Sequence, residues 1–246
     1  DNGELFSPTY LKTIHNQLSA ILNHAVNMYG LKDNVARKAG TMGKEENKEM
    51  EFWTQEGFQA FLECVADKPI SYYAFEILYW TGIREGELLA LTPGDFNFEK
   101  KTLRINKSYQ RLEGKDVITD PKTPKSNRTI VMPDFLAVEM EDFISSLYGI
   151  RDDDRIFTIS KSYLHHEMDR GAKLAGVKKI RIHGLRHSHI SLLINLGFSA
   201  LAIGERVGHE AVDITYHYAH LFPTVQTDMA AQLETEREAL VNVRKE

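Results

Sequence analysis

The segment 70–81, ISYYAFEILYWT, is apolar or aromatic at almost every position and constrains this chain more than any other stretch. A helix that is hydrophobic all round has no face to offer to water and must be largely buried by other elements. A chain of 246 residues, 42% of them hydrophobic, has material for one substantial domain and a smaller partner around such a helix. The apolar runs at 88–91 and 190–196 are far shorter than the roughly 20 residues needed to cross a bilayer, so no membrane partner is expected. A single cysteine, Cys64, excludes a disulfide framework and a cysteine-based zinc site, and fits a reducing cytoplasm.

The organisation follows from periodicity. Residues 8–29 carry Leu11, Ile14, Leu18, Ile21, Leu22, Ala25 and Val26 at spacings of three and four, with Ser7 as a cap, which predicts one amphipathic helix. Residues 31–50 are polar and aperiodic and read as an interdomain linker, with the main domain at 51–246. Helices are predicted over 54–66 and 70–81. Then come alternating strand-like pieces at 102–109 and 128–132, separated by a polar, Pro-containing loop. Further helices are expected over 134–147, 162–175, 185–196, 200–207, 213–220 and 225–243, which makes the chain mainly α with a small antiparallel β-sheet. The sequence starts at Asp1 and its first helix has no evident partner, so a longer parent chain is expected.

The formal net charge of −5 argues against a generic nucleic-acid binder, because phosphate binding depends on Lys and Arg. Segregation changes that conclusion. Between 100 and 128 nine basic residues stand against three acids, and 170–186 holds six basic residues and no acid. Local contact with DNA is therefore permitted, with Lys107, Lys125, Arg128 and Arg181 as candidate contacts.

Five short motifs contain reactive side chains: TGIREGELLAL at 81–91, PKTPKSNRTIVMP at 121–133, HGLRHSH at 183–189, VGHE at 207–210 and TYHYAHL at 215–221. Each alone is a weak signal, since an arginine after a helix is usually a structural ion pair and short motifs match by chance. Their joint order is the argument: Arg84, Lys122, His183 and Arg186, His209, then Tyr218 nine residues later. In that order and context the chain resembles the tyrosine recombinase family, particularly integrases of bacterial conjugative transposons and temperate phages. The resemblance runs from about residue 54 to the C-terminus; more weakly, 8–29 resembles the last long helix of the family's core-binding domain, assigning 1–30 to that domain with its earlier part absent.

What the resemblance implies is a catalytic domain that cuts and rejoins DNA through a 3′-phosphotyrosyl intermediate, integrating and excising a mobile element without cofactor or metal. Arg84 and Arg186 would clamp the scissile phosphate, for which a planar, permanently charged guanidinium is suited. Lys122 would protonate the leaving 5′ oxygen, with Lys125 as the alternative, and His183 and His209 would exchange protons and hydrogen bonds near the phosphate. Tyr218 would be the nucleophile. Tyr216 is its rival, although two residues along a helix turn a side chain to nearly the opposite face. Glu87, three residues after Arg84, would orient that arginine or His183, against the simpler reading of an exposed helix charge. The family further implies duplex recombination sites as partner, a synaptic homotetramer, and exchange of the C-terminal helix between protomers, in place of a plain core helix at 225–243.

Rival readings are a type IB topoisomerase, a catalytically silent DNA-binding protein of the same fold, and a metal-dependent nuclease. The last could draw on His183, His187 and His189 or on His165, His166 and Glu167, but no HExxH or paired-Cys pattern supports it, and surface or capping roles explain the extra histidines more simply.

Overall fold

The structure, a computed structural model, describes residues 6–42, 51–121, 126–208 and 233–235. It divides into two compact units, 1–49 and 50–246. In the first, α1 (Pro8–Tyr29) starts where the Ser7 hydroxyl accepts the Tyr10 N–H, with Pro8 in the first turn, and ends at Gly30 in the left-handed conformation. A short α2 (Val35–Ala39) lies within the stretch expected to be linker. Its Asn34 cap explains the difference: the side-chain amide donates to the Ser19 carbonyl, the Ser19 hydroxyl and Asn23 Oδ1, and its oxygen accepts from Arg37 N–H. A polar side chain thus docks α2 on α1, which hydrophobic periodicity does not register.

The second unit is built around α4 (Pro69–Thr81). Ala74, Phe75, Ile77, Leu78 and Tyr79 are buried, as an all-round apolar helix requires. Preceding it, α3 (Gln55–Glu63) is capped by Thr54 and stacks Phe58 on Tyr79 with ring centroids 3.8 Å apart. After α4 come the one-turn α5 (Glu85–Leu88), a 3-10 turn at Pro93–Asp95, β1 (Phe96–Asn97), β2 (Thr102–Ile105), β3 (Ser108–Leu112), β4 (Lys115–Thr119) and β5 (Arg128–Val131). The chain then continues with α6 (Asp134–Ser146), α7 (Lys161–Ala175), α8 (Ile182–Asn195) and α9 (Ala200–Val207). Packed against α4 are α3, α5, α6 and α8. No described helix is long and apolar enough to cross a membrane.

The expected small sheet is two sheets. Strands β1, β2 and β5 form one antiparallel sheet in that order, with Leu103 opposite Ile130, and β3 and β4 form a separate hairpin. The segment 102–109 breaks between β2 and β3, where Lys107 turns back to ion-pair with the buried Asp95 at 2.7 Å. The hairpin occupies most of what reads as a polar loop. Leu112 pairs with Lys115 across a two-residue turn in which Glu113 and Gly114 both have positive φ, 49° and 78°, the geometry that matches strand twist. Its strands are half-exposed and polar, so alternation was too weak to reveal them.

The predicted helix at 213–220 lies outside the described residues, as does that at 225–243 apart from 233–235, which are helical. Helix α8 begins at Ile182 rather than 185, which puts His183 in its first turn.

Candidate active site

Arg84 stands between two helices. Helix α4 ends at Gly82, whose φ of +66° reverses the chain, and Arg84 then caps α5. Gly82 also admits its neighbours: a Cβ there would lie 2.6 Å from the His189 ring and 3.2 Å from Val207 Cγ1. Gly82→Ala combines left-handed strain with overpacking and is expected to cost about 3 kcal/mol of stability, measured by urea unfolding; a loss under 1 kcal/mol would contradict this account.

Glu87 organises the arginine. Its Oε2 accepts the Arg84 backbone N–H at 2.8 Å and its Oε1 accepts Arg84 Nη1 at 2.8 Å. The same carboxylate is bridged by Arg128, Nη1 to Oε1 at 3.1 Å and Nη2 to Oε2 at 3.0 Å. Burial pushes the Glu87 pKa up, but the Arg128 hydrogen bonds and charge, then the Arg84 contacts, outweigh it and hold the carboxyl below its ordinary value. Glu87 is buried and doubly paired, not an exposed helix charge. Helix α5 lies directly on β3, since a Cβ on Gly86 would come within 2.6 Å of Ser108 Oγ and 3.1 Å of the Tyr109 carbonyl oxygen.

Arg186, one turn after His183 on α8, is 2% exposed. Its Nη1 donates to the Gly82 carbonyl at 2.7 Å and its Nη2 to the Val207 carbonyl at 2.6 Å. Arg84 Nη2 donates to the next carbonyl, Gly208, at 3.1 Å, and Arg128 Nε to the preceding one, Arg206, at 2.9 Å. Three arginines from α5, α8 and β5 therefore meet three consecutive carbonyls at the C-terminal end of α9, where a helix carries unpaired acceptors and partial negative charge.

Desolvation first, then the charges of His187, Arg186 and Arg84, push the His183 pKa down to about 4, and the His187 ring stands edge-on to it at 4.8 Å. The imidazole is neutral near pH 7, a state able to accept a proton.

Several other cations and histidines turn inward. Arg128 was expected at the DNA surface, yet its side chain is 7% exposed and engaged with Glu87, Ser126 and Arg206. Lys107 likewise turns inward to Asp95 and the Thr92 hydroxyl, while Arg181 is exposed at the cap of α8. His189 is not a surface residue. It is 2% exposed and accepts Arg206 Nε at 3.1 Å, and desolvation followed by the Arg206 charge pushes its pKa down to about 3. Arg206 had no sequence signal; it also donates to the carbonyls of Val131 and Trp80, pinning α9 to β5 and α4. Among the described residues no group of three His, Cys, Asp or Glu side chains is arranged to hold a metal ion. Lys122, Lys125, His209, Tyr216 and Tyr218 lie outside the described residues.

These histidines give stability a pH dependence of defined sign. The fold keeps His183 and His189 neutral, whereas unfolded histidine titrates near 6.5, so between about 6.5 and 4 the unfolded chain binds protons that the fold refuses. Stability from this source falls as pH drops through that window. Glu76, raised to about 7 by burial and then by Glu139, acts in the opposite sense. His189→Gln is therefore expected to flatten the wild-type slope of urea stability between pH 6.5 and 5; an unchanged slope would refute the assignment to His189.

Residues 51–224 match the phage integrase family. The chain belongs to that family. It is 32% identical over 243 residues to the ICEBs1 integrase of Bacillus subtilis, covering 91% of this chain and 65% of the relative. It is 26% identical over 256 residues to a XerC-like tyrosine recombinase of Caldanaerobacter subterraneus, again covering 91% and 65%. This phage integrase family chain thus spans just under two thirds of the length of these relatives. Among solved structures, the Tn1549 transposon integrase in complex with a circular intermediate DNA superimposes with a TM-score of 0.76 at 20% identity, covering 94% of this chain and 80% of that one. The shared fold is that of a tyrosine recombinase catalytic domain: mainly helical, with small antiparallel sheets.

Proposed function

We propose that this chain is the catalytic part of a site-specific recombinase that cleaves and rejoins duplex DNA for the integration and excision of a mobile element. The observation that carries this reading is the meeting of Arg84 and Arg186 on adjacent carbonyls at the end of α9, with a neutral His183 under the influence of both charges. Two guanidiniums held in place by backbone acceptors form a preorganised cationic site, which is what a phosphodiester gathering negative charge in its transition state requires. The DNA bound to the Tn1549 integrase supports the same class of substrate here.

In the proposed reaction the Tyr218 hydroxyl attacks phosphorus, the bond to the 5′ oxygen breaks, and a 3′-phosphotyrosyl link forms. His183 accepts the phenol proton, Lys122 supplies one to the leaving 5′ oxygen, His209 hydrogen-bonds the phosphate, and attack by a 5′ hydroxyl reverses the step. The covalent link conserves the bond for rejoining. Arg181, exposed at the start of α8, and Lys125 are proposed as DNA contacts. Helix α1 is proposed as part of a helical DNA-binding domain, supported by the exposed apolar stripe Ile14, Leu18 and Ile21. Synapsis by four protomers, with exchange of the C-terminal helix, completes the proposal.

The test is incubation with a nicked duplex carrying the junction of the mobile element, in EDTA, followed by a denaturing gel. A protein–DNA adduct is expected. Binding without an adduct would overturn the catalytic reading, and an adduct lost in EDTA would favour metal-dependent chemistry.

A further inference from the structure

We infer that Arg128 is a positioning residue that balances the charge of Glu87, so that the Arg84 cation remains available to a phosphate; the inference rests on the recombinase reading of Arg84. The two guanidiniums share one carboxylate unequally. Arg128 takes both oxygens and is 7% exposed, whereas Arg84 takes one of them through a single nitrogen of its side chain and is 39% exposed. The buried cation thus offsets the buried anion, leaving one positive charge on the open side of the cluster. Of the five guanidinium N–H donors of Arg84, only those directed to Glu87 and the Gly208 carbonyl are committed among the described residues.

Without Arg128, the Glu87 carboxylate would have Arg84 as its remaining cation, and the pair would be neutral. A phosphate would then meet a guanidinium whose charge is already offset and whose fork is drawn toward Glu87. Arg128 also holds the Arg206 carbonyl while Arg84 holds that of Gly208, so the same residue sets the end of α9 against which Arg84 is aligned. Its location on β5, distant in sequence from both, lets one side chain tie sheet, α5 and α9 together.

Single-turnover cleavage of the nicked duplex, DNA affinity and thermal unfolding would be measured for wild type, Arg128→Met, Arg128→Lys and the double variant Glu87→Gln with Arg128→Met. Arg128→Met is expected to cleave about 100-fold more slowly with DNA affinity within about threefold. Arg128→Lys, which keeps the charge but loses the fork that spans both Glu87 oxygens and the Arg206 carbonyl, is expected to cleave at a rate between those of wild type and Arg128→Met. The double variant is expected to regain about tenfold over Arg128→Met, because it removes the carboxylate that would otherwise neutralise Arg84. A merely structural role predicts the reverse, since the double variant loses a second buried partner. Recovery absent in the double variant, or Arg128→Met cleaving like wild type, overturns the inference. Should Arg128→Met not fold, the double and lysine variants carry the test: cleavage by either more than about 100-fold below wild type overturns it.

Titration of the DNA-free chains with inorganic phosphate, followed by the Arg84 side-chain NMR signals, reads the charge balance without catalysis. Weaker phosphate binding in Arg128→Met and recovery in the double variant support the inference even if wild type forms no DNA adduct, in which case the recombinase reading alone fails.

Discussion

Tyr218→Phe is expected to eliminate covalent DNA capture, lowering the cleavage rate by roughly 10⁴-fold or more, the scale on which removal of a covalent nucleophile acts. Phenylalanine retains the ring and loses only the oxygen that would bond to phosphorus, so DNA affinity should stay within about threefold of wild type. A gel-shift measured beside the denaturing-gel assay separates the two quantities. Continued capture by the variant would pass the role to Tyr216, two residues earlier, or end the tyrosine mechanism altogether. The spacing behind this prediction is in the sequence: Tyr218 follows His209 by nine residues, after Arg84, Lys122, His183 and Arg186.

Arg186→Lys is expected to reduce cleavage by about 10³-fold while leaving DNA binding nearly intact. Charge is preserved but geometry is not. Arg186 spans two carbonyls on separate elements, Gly82 and Val207, with distinct nitrogens of one rigid plane. An ammonium is a point donor on a flexible stem and cannot hold both acceptors at once, so the cationic centre loses its fixed position. The loss should appear in the single-turnover rate rather than in affinity. Cleavage by the lysine variant within about tenfold of wild type would refute the bidentate role. Some destabilisation should accompany it, because a buried carbonyl left without its donor costs about 1–3 kcal/mol.

Both predictions draw on information at different depths. The buried helix at 70–81, the helices at 134–147 and 200–207 and the ordered series from Arg84 to Tyr218 are local properties: periodicity, caps and residue order are written along the chain. The β3–β4 hairpin was missed because its strands are polar and its turn, Glu113 with Gly114, lacks the Asn-Gly or Asp-Gly signal. The docking of α2 was missed because a single asparagine secures it.

By itself, then, the sequence determined that this protein buries one largely apolar helix, is mainly helical, and carries in order the residues proposed to react. Only the tertiary structure decided which cations face inward. Arg128 and Lys107 read as exposed contacts for a polyanion, and each instead answers a buried carboxylate, Glu87 or Asp95, far from it in sequence. His189, in a motif of three histidines, became a buried acceptor for Arg206. The physical reason is common to all three. Hydrophobic periodicity reports which side of a local element faces the core, but the partner of a buried charge is chosen by the low dielectric around it, through whichever carboxylate, carbonyl or imidazole the fold brings within about 3 Å.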